Sequence, residues 1–414
     1  MHRLFGLFSL LSLLVLVGSI EARAQSDQPL APILSGLGEH AMPITTEVPR
    51  AQRFFNQGLI LAYGFNHAEA QRAFQEAARL DSACAICYWG QALVLGPNIN
   101  APMDPASNDA AWTALQSARR LASAPHVSAK ERALISALAS RYAKTAPEDR
   151  SALDGAYADA MRAVAQQYPS DPDVQTLFAE ALMDTTPWDY WQADDSPKPV
   201  TTEFTAAIEA ALEQNVNHPG ANHLYIHAVE SVHPEKGLAA AERLDGLVPG
   251  AGHLVHMPGH IYIRIGRYHD AVRVNLQAAA ADESYIAQCN AQGAVPLGYY
   301  PHNLHFLWFA AMMAGEGEVA IAAAEKIQAK RTEDMIEVER LRPALVYALV
   351  RFGRWDALLA LPAPPEKQLY ATAMWLYGRG LARLHTEGSE AVAAEFTKLT
   401  TISNSRSEEH TSEL

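Results

Sequence analysis

From residue 51 onward, apolar and small residues recur three and four positions apart, the period at which one face of an α-helix turns toward a core. Alternation of period two, the mark of a half-buried strand, is nearly absent. The periodic segments are short and rich in alanine, and Gly, Pro or Asp separates them. The pattern predicts an all-α chain of many short helices. Ser128 to Tyr142 reads as one helix, opened by Ser128 and Glu131 at the spacing of a capping box. Ala156 to Gln167 reads as another, and Asp171-Pro172-Asp173 starts a third, Val174 to Met183. Gly96 to Met103 and the aromatic-rich Thr185 to Trp191 read as loops, and residues 25–50 as an extended, Pro-rich lead-in.

The helical pattern repeats. Residues 51–84 carry Phe54, Gly58, Leu61, Ala70, Phe74 and Ala77, small residues where two helices cross and large ones that fill the gap. Counting on by about 34 residues puts Tyr88 in the place of Phe54 and Ala92 in that of Gly58. Residues 252–285 carry Gly259, Tyr262, Gly266, Tyr268, Ala271 and Ala278 in the same order. Later units place turns at Gly315 and Gly353, with Ala320, Trp355 and Ala357 following, and a weaker one surrounds Tyr377-Gly378. This spacing resembles the tetratricopeptide repeat (TPR) family. The resemblance covers most of residues 51–395, with residues 97–201 as divergent repeats. It implies an α-solenoid of antiparallel helix pairs over residues 51–405, wound as a right-handed superhelix, without a clear internal domain boundary. It also implies a concave groove that binds a protein or peptide.

Histidine is concentrated in one stretch. Ten of the 16 histidines lie in the 88 residues from His218 to His305, where an even spread would place about 3.4 (16 × 88/414). His223, His227 and Glu230 fall at i, i+4, i+7; His253, His256 and His260 at i, i+3, i+7; His302 and His305 at i, i+3. At about 100° per residue each set shares one arc of its helix. In the repeat phase that the resemblance implies, these arcs line the groove, within the central repeats 218–313. Phe309, Met312 and Met313 follow the last set. Three readings are open: a transition-metal site (copper, zinc or iron) built from these eight residues, a site for a carboxylate or peptide ligand, and a structural role. Thioethers near the groove would favour copper. Tyr262, Tyr300, Phe309, Trp188 and Trp191 are the candidates for groove or ligand contact, with Tyr190 and Tyr299 as further aromatics that wall a pocket or anchor a loop. Asp282 to Tyr300 overruns the repeat and reads as a lid or a long connection. His218, His233 and His269 read as surface residues.

The remaining features bound the function. A formal charge of −14 with no basic run argues against nucleic acid or an anionic membrane as partner. Residues 1–24 read as a secretory signal peptide: a basic start, an apolar run from Leu4 to Val17 and Ala22-Arg23-Ala24 as cleavage site. That run is too short to span a bilayer, and no later stretch of the mature chain is long and apolar enough. The chain is thereby expected in the periplasm or outside the cell, as an exported bacterial-type TPR protein. Cys84 and Cys87 are a disulfide candidate in such a compartment, and Cys289 stands alone. Residues 406–414 read as a translated library adapter. No phosphate loop, G-x-S-x-G, H-E-x-x-H or G-x-G-x-x-G motif occurs. Two functions are consistent with all of this: an exported interaction module with a His-rich metal site, or a metal-dependent periplasmic enzyme or metal-storage protein using the same histidines.

Overall fold

The computed structural model describes residues 29–289, 291, 294–329, 341–365 and 367–412. The proposed signal peptide and the first residues of the lead-in lie outside the described residues. Among the described residues there is no strand, only isolated bridges Asn98–Ala101 and Trp191–Pro197.

Helices pack in consecutive pairs, and where the turn between partners is short, as at residues 64–66, 265–267 and 315–316, the partners are antiparallel. The first is α1 (Pro49–Tyr63) on α2 (His67–Leu80), followed by α3 (Ala85–Leu93) on α4 (Asn108–Ala122) and α5 (Ala129–Leu138) on α6 (Ser151–Gln167). Next come α7 (Pro172–Met183) on α8 (Pro199–Gln214) and α9 (Pro219–Val229) on α10 (Leu238–Leu244). A broken helix, α11 (Gly252–His256) and α12 (Pro258–Arg264), then packs on the long α13 (Tyr268–Cys289). The array closes with α14 (Tyr300–Ala314) on α15 (Gly317–Ala329), α16 (Ala344–Arg351) on α17 (Trp355–Ala360), and α18 (Leu369–Thr386) on α19 (Ala393–Ser412). The fold is an all-α solenoid of TPR-type helix pairs, and residues 97–201 continue it.

The packing residues explain the pairing. Phe54, Phe74, Ala70 and Ala77 are fully buried. A methyl group on Gly58 would lie 2.8 Å from the Phe74 ring, so only glycine lets α1 and α2 approach this closely. The equivalent close contact on α3 falls at Gly90, not at Ala92, because Phe74 lies between α1 and α3 and meets both. Tyr88 is correspondingly half-buried, and Trp89 fills the core. Gly266, Gly315 and Gly353 end their helices with φ of 80°, 78° and 62°, as their turn positions require. The Ser128–Glu131 capping box forms in both directions.

Three departures from the sequence pattern matter later. The lead-in from residue 29 is non-helical yet tied down: Ala31, Leu37 and Met42 are buried, and Gln57 bonds the backbone of Pro32 and Leu34. The helix expected from Gly252 is broken at Met257, because Pro258 has no N–H to give the preceding turn. The overrun after Asp282 is mostly helix, with α13 continuing to Cys289 and a π-helical turn at Val295–Tyr299 leading into α14. Cys84 and Cys87 are joined as a disulfide, with Cα atoms 5.4 Å apart.

Candidate metal centre

Three first helices, α9, α11–α12 and α14, bring their imidazoles together. Donor nitrogens of His223, His227 and His253 lie within 4.8 Å of one another, and so do those of His256, His260 and His302. The two sets are adjacent: ring centroids of His227 and His260 are 5.8 Å apart, and those of His253 and His256 are 6.0 Å apart. Phe306 packs on all three rings of the second set at 4.5 to 4.6 Å.

Each set is held from behind. His223 Nδ1 donates to the Tyr63 carbonyl at 2.6 Å. Glu230 accepts from both sets, from His227 Nδ1 at 2.9 Å on one oxygen and from His260 Nδ1 at 2.6 Å on the other. His256 Nδ1 lies 2.6 Å from Asn275 Oδ1. The amide of Asn275 is oriented by its Nδ2, which donates to the Ala271 carbonyl, so its oxygen must face the imidazole and Nδ1 must carry the proton. Gly259 makes room for this contact, since a methyl group there would meet the Asn275 amide at 2.6 Å.

These outer bonds fix the tautomers. With Nδ1 protonated, Nε2 of His223, His227, His256 and His260 is a bare lone pair in the neutral ring. Nε2 of His223 and His227 and both nitrogens of His253 are buried without a partner. His256 Nε2 and His260 Nε2 stand 2.8 Å apart, two acceptors facing each other. A cation shared between the two rings satisfies that contact, whether a metal ion or a proton held on the His260 side, where the Glu230 carboxylate backs the ring. A proton is disfavoured at His256: burial, then the neighbouring His260 and His302, push its pKa well down. Burial and neighbouring imidazoles act likewise on His223 and His253, and His302 is lowered to about 3. Glu230 stays ionised, because His260 and His227 outweigh the burial that would raise it. Imidazole nitrogens converging, backed by carbonyl, amide and carboxylate acceptors, match what a transition metal requires of its ligands.

Glu230, placed among the candidate ligands by spacing, thus has both oxygens occupied by the Nδ1 protons of His227 and His260 and sits behind the two rings. His305 stacks on Trp308 at 5.6 Å and lies outside both sets of three. A cavity of about 310 Å³ opens beside the imidazoles, lined by His227, His253, His260, His302, His305, Trp188 and Tyr299 among others. Trp188 keeps its place among the ligand-contact candidates. Tyr262 does not: it is buried on the core side of α12 beneath the Arg267 guanidinium. Tyr300 is also buried, its hydroxyl donating to Glu283 on α13, and Trp191 ties its loop to the Ala228 carbonyl. Phe309 and Met313 are exposed on α14, and Met312 packs on the core.

His218 is no surface residue. It is fully buried in a separate cluster with His40, Asp173 and Tyr63, and three of these groups converge on Asp173 Oδ1 at 2.9 to 3.1 Å. His233 is half-buried and His269 exposed. Asn275, Phe306, Tyr63, His40 and Asp173 were not found by sequence reasoning. Phe306 shares α14 with His302 at i+4, a spacing that could have marked it; the others reach their clusters from another helix or from the lead-in, so no spacing along one helix marks them.

No family model matches the chain, and no curated protein matches it in sequence. Solved structures similar to it are helical-repeat proteins. A tetratricopeptide repeat protein from Parabacteroides merdae aligns over 60% of this chain and 86% of its own at 12% identity, with a TM-score of 0.31. Human IFIT1, solved as a dimer with PPP-AAAA, aligns over 84% and 76% at 12% identity, with a TM-score of 0.38. A Rap protein complexed with competence and sporulation factor aligns over 87% and 99% at 13% identity, with a TM-score of 0.36. At such scores the fold assignment rests on the helix pairs themselves. Fold and site together define a TPR-type solenoid with a buried six-imidazole cluster.

Proposed function

We propose that this solenoid is a binuclear metalloprotein, holding two first-row transition-metal ions in the sets His223/His227/His253 and His256/His260/His302. The observation that carries the reading is the convergence of six imidazoles, with the Nε2 atoms of His256 and His260 facing each other at 2.8 Å beside buried, unpartnered nitrogens on His223, His227 and His253. Imidazole suits zinc, copper and iron, and three protein ligands leave a further position open on each ion. The cavity adjoins that position, which favours reaction or ligand exchange over closed storage. The ion would supply Lewis acidity or, with copper or iron, electron transfer. Of the chain's own groups, Glu230 couples the two sets by orienting one ligand of each.

The test is metal quantification on purified protein and titration of the stripped chain with zinc and with copper. Two equivalents per chain are expected. Less than one equivalent, with no affinity on titration, would overturn the reading. We further propose that the chain works outside the cytoplasm, supported by the leader-like residues 1–24 and by the Cys84–Cys87 disulfide, which persists in oxidising compartments. N-terminal sequencing of the exported protein should begin at Gln25, and retention of residues 1–24 on the mature protein would contradict it.

A further inference from the structure

Three local irregularities of the backbone meet at the mouth of the cavity. Trp188 adopts a left-handed backbone, φ 63°, which a bulky residue rarely does, and its side chain is left 51% exposed beside His227 at 5.0 Å. Tyr299 ends the π-helical turn before α14, a deviation found disproportionately at functional sites, and its ring lies 4.5 Å from His253. Asn100, in the tight loop closed by the Asn98–Ala101 bridge, donates to the Tyr299 hydroxyl at 3.3 Å. Packing alone does not require these three features, since Trp188 buries little by being held there. They share one result, two aromatic rings that flank the His223/His227/His253 set and line the cavity.

The chemistry of the walls narrows the occupant. Apart from the histidines, the described lining is aromatic, aliphatic or amide, with no Lys, Arg, Asp or Glu. Away from the histidines, a charged group on the ligand would lose its hydration with nothing to replace it. A volume of about 310 Å³ is at the small end of ligand pockets. Flat rings gain from edge and offset contacts with Trp and Tyr that a puckered ring of equal size cannot make.

From these features we infer that the cavity is a binding slot for a small, neutral, planar aromatic molecule bearing a hydroxyl, a simple phenol, with its ring between Trp188 and Tyr299 and its oxygen toward the open position of the first metal. The inference rests on the binuclear reading for the role of the oxygen, and on Trp188 and Tyr299 alone for the ring.

The experiment uses the full chain loaded with cobalt(II) and titrated with 4-methylphenol, with 4-methylcyclohexanol as the non-planar control. The phenol should perturb the cobalt absorption bands and bind at least tenfold more tightly than the cyclohexanol. Trp188→Ala should weaken phenol binding at least tenfold without changing cobalt content, and Trp188→Phe should restore most of it. Absence of phenol binding, equal affinity for the two alcohols, or no effect of Trp188→Ala would overturn the inference. If no cobalt loads, the binuclear reading fails separately. Calorimetric titration of the metal-free chain then decides the slot: phenol binding lost in Trp188→Ala preserves it, and no binding overturns it.

Discussion

Two buried histidine clusters in this chain have the same three-donor geometry and opposite chemistry. His40, Asp173 and His218 lie as close together as either imidazole set. Their protons, however, are all accounted for. His218 Nδ1 accepts from the Ala221 amide, so its Nε2 carries the proton and donates to Asp173. His40 and the Tyr63 hydroxyl approach the same carboxylate oxygen at 2.9 Å. Burial alone would raise the pKa of Asp173, but His218 and His40 hold it well below the carboxylate range. In the other cluster the outer acceptors take the Nδ1 protons and leave the Nε2 atoms turned toward one another with no carboxylate between them. Proximity of ligating atoms is therefore a poor sign of a metal site. What separates the two is where the protons are.

The largest expected effect breaks the comparison directly. His256→Ala should lose one metal equivalent by elemental analysis, and His223→Ala the other, whereas His218→Ala should leave metal content at two. Metal loss in His218→Ala equal to that in His256→Ala would erase the distinction between the two clusters.

Asp173→Asn should act on the fold and not on the metal. Removing one partner of a buried charged network typically costs about 3–5 kcal/mol, read by urea unfolding at pH 7. The sign with pH follows from the depressed pKa. Ionised Asp173 contributes stability that is fully present above its unfolded value, near 4, and is lost as pH falls toward its folded one. The gap between wild type and variant should be constant from pH 7 to about 5 and narrow below about 4. A gap that widens on acidification would contradict the assignment of protons.

Glu230→Gln sharpens the comparison from the other side. A neutral amide offers one acceptor where the carboxylate offers two, so either His227 or His260 loses its outer partner. Changes behind a ligand typically cost about 10–100-fold in metal affinity. Competition titration against a chelator should show that loss, with unfolding of the metal-free chain changed far less than by Asp173→Asn.

The repeat architecture was legible because each pair restates it: Gly58 with Phe74 and the turn glycines Gly266, Gly315 and Gly353 carry their reasons locally. The convergence of the six clustered histidines was legible for the same cause, since periodicity puts each helix's imidazoles on one arc. The protons were not. Whether His223 presents a bare nitrogen depends on a carbonyl 160 residues away at Tyr63, and His218 is buried by a lead-in residue, His40. Glu230 at i+7 from His223 reads as one more ligand until His260 is seen on its second oxygen. Tyr262 and Tyr300 failed as groove residues because an aromatic in a helix pair is equally a core residue, and nothing nearby in sequence tells the two apart.

The smallest effect joins these two kinds of information. Gly259 is a repeat-defining small residue, and it is also what lets α12 lie close enough to α13 for Asn275 to reach His256. In Gly259→Ala the new methyl group would sit 2.6 Å from the Asn275 amide nitrogen. That is the end of a side chain, so it can shift, and the helices need not separate. The shift would pull Asn275 from Ala271 and from His256 together, releasing the tautomer of one ligand in the second set. Zinc affinity of the second equivalent should fall by a few-fold, less than in Glu230→Gln, because one outer bond is loosened instead of removed. The first equivalent should be unchanged. Equal weakening of both equivalents would mean that the two sets share their support more widely than through Glu230.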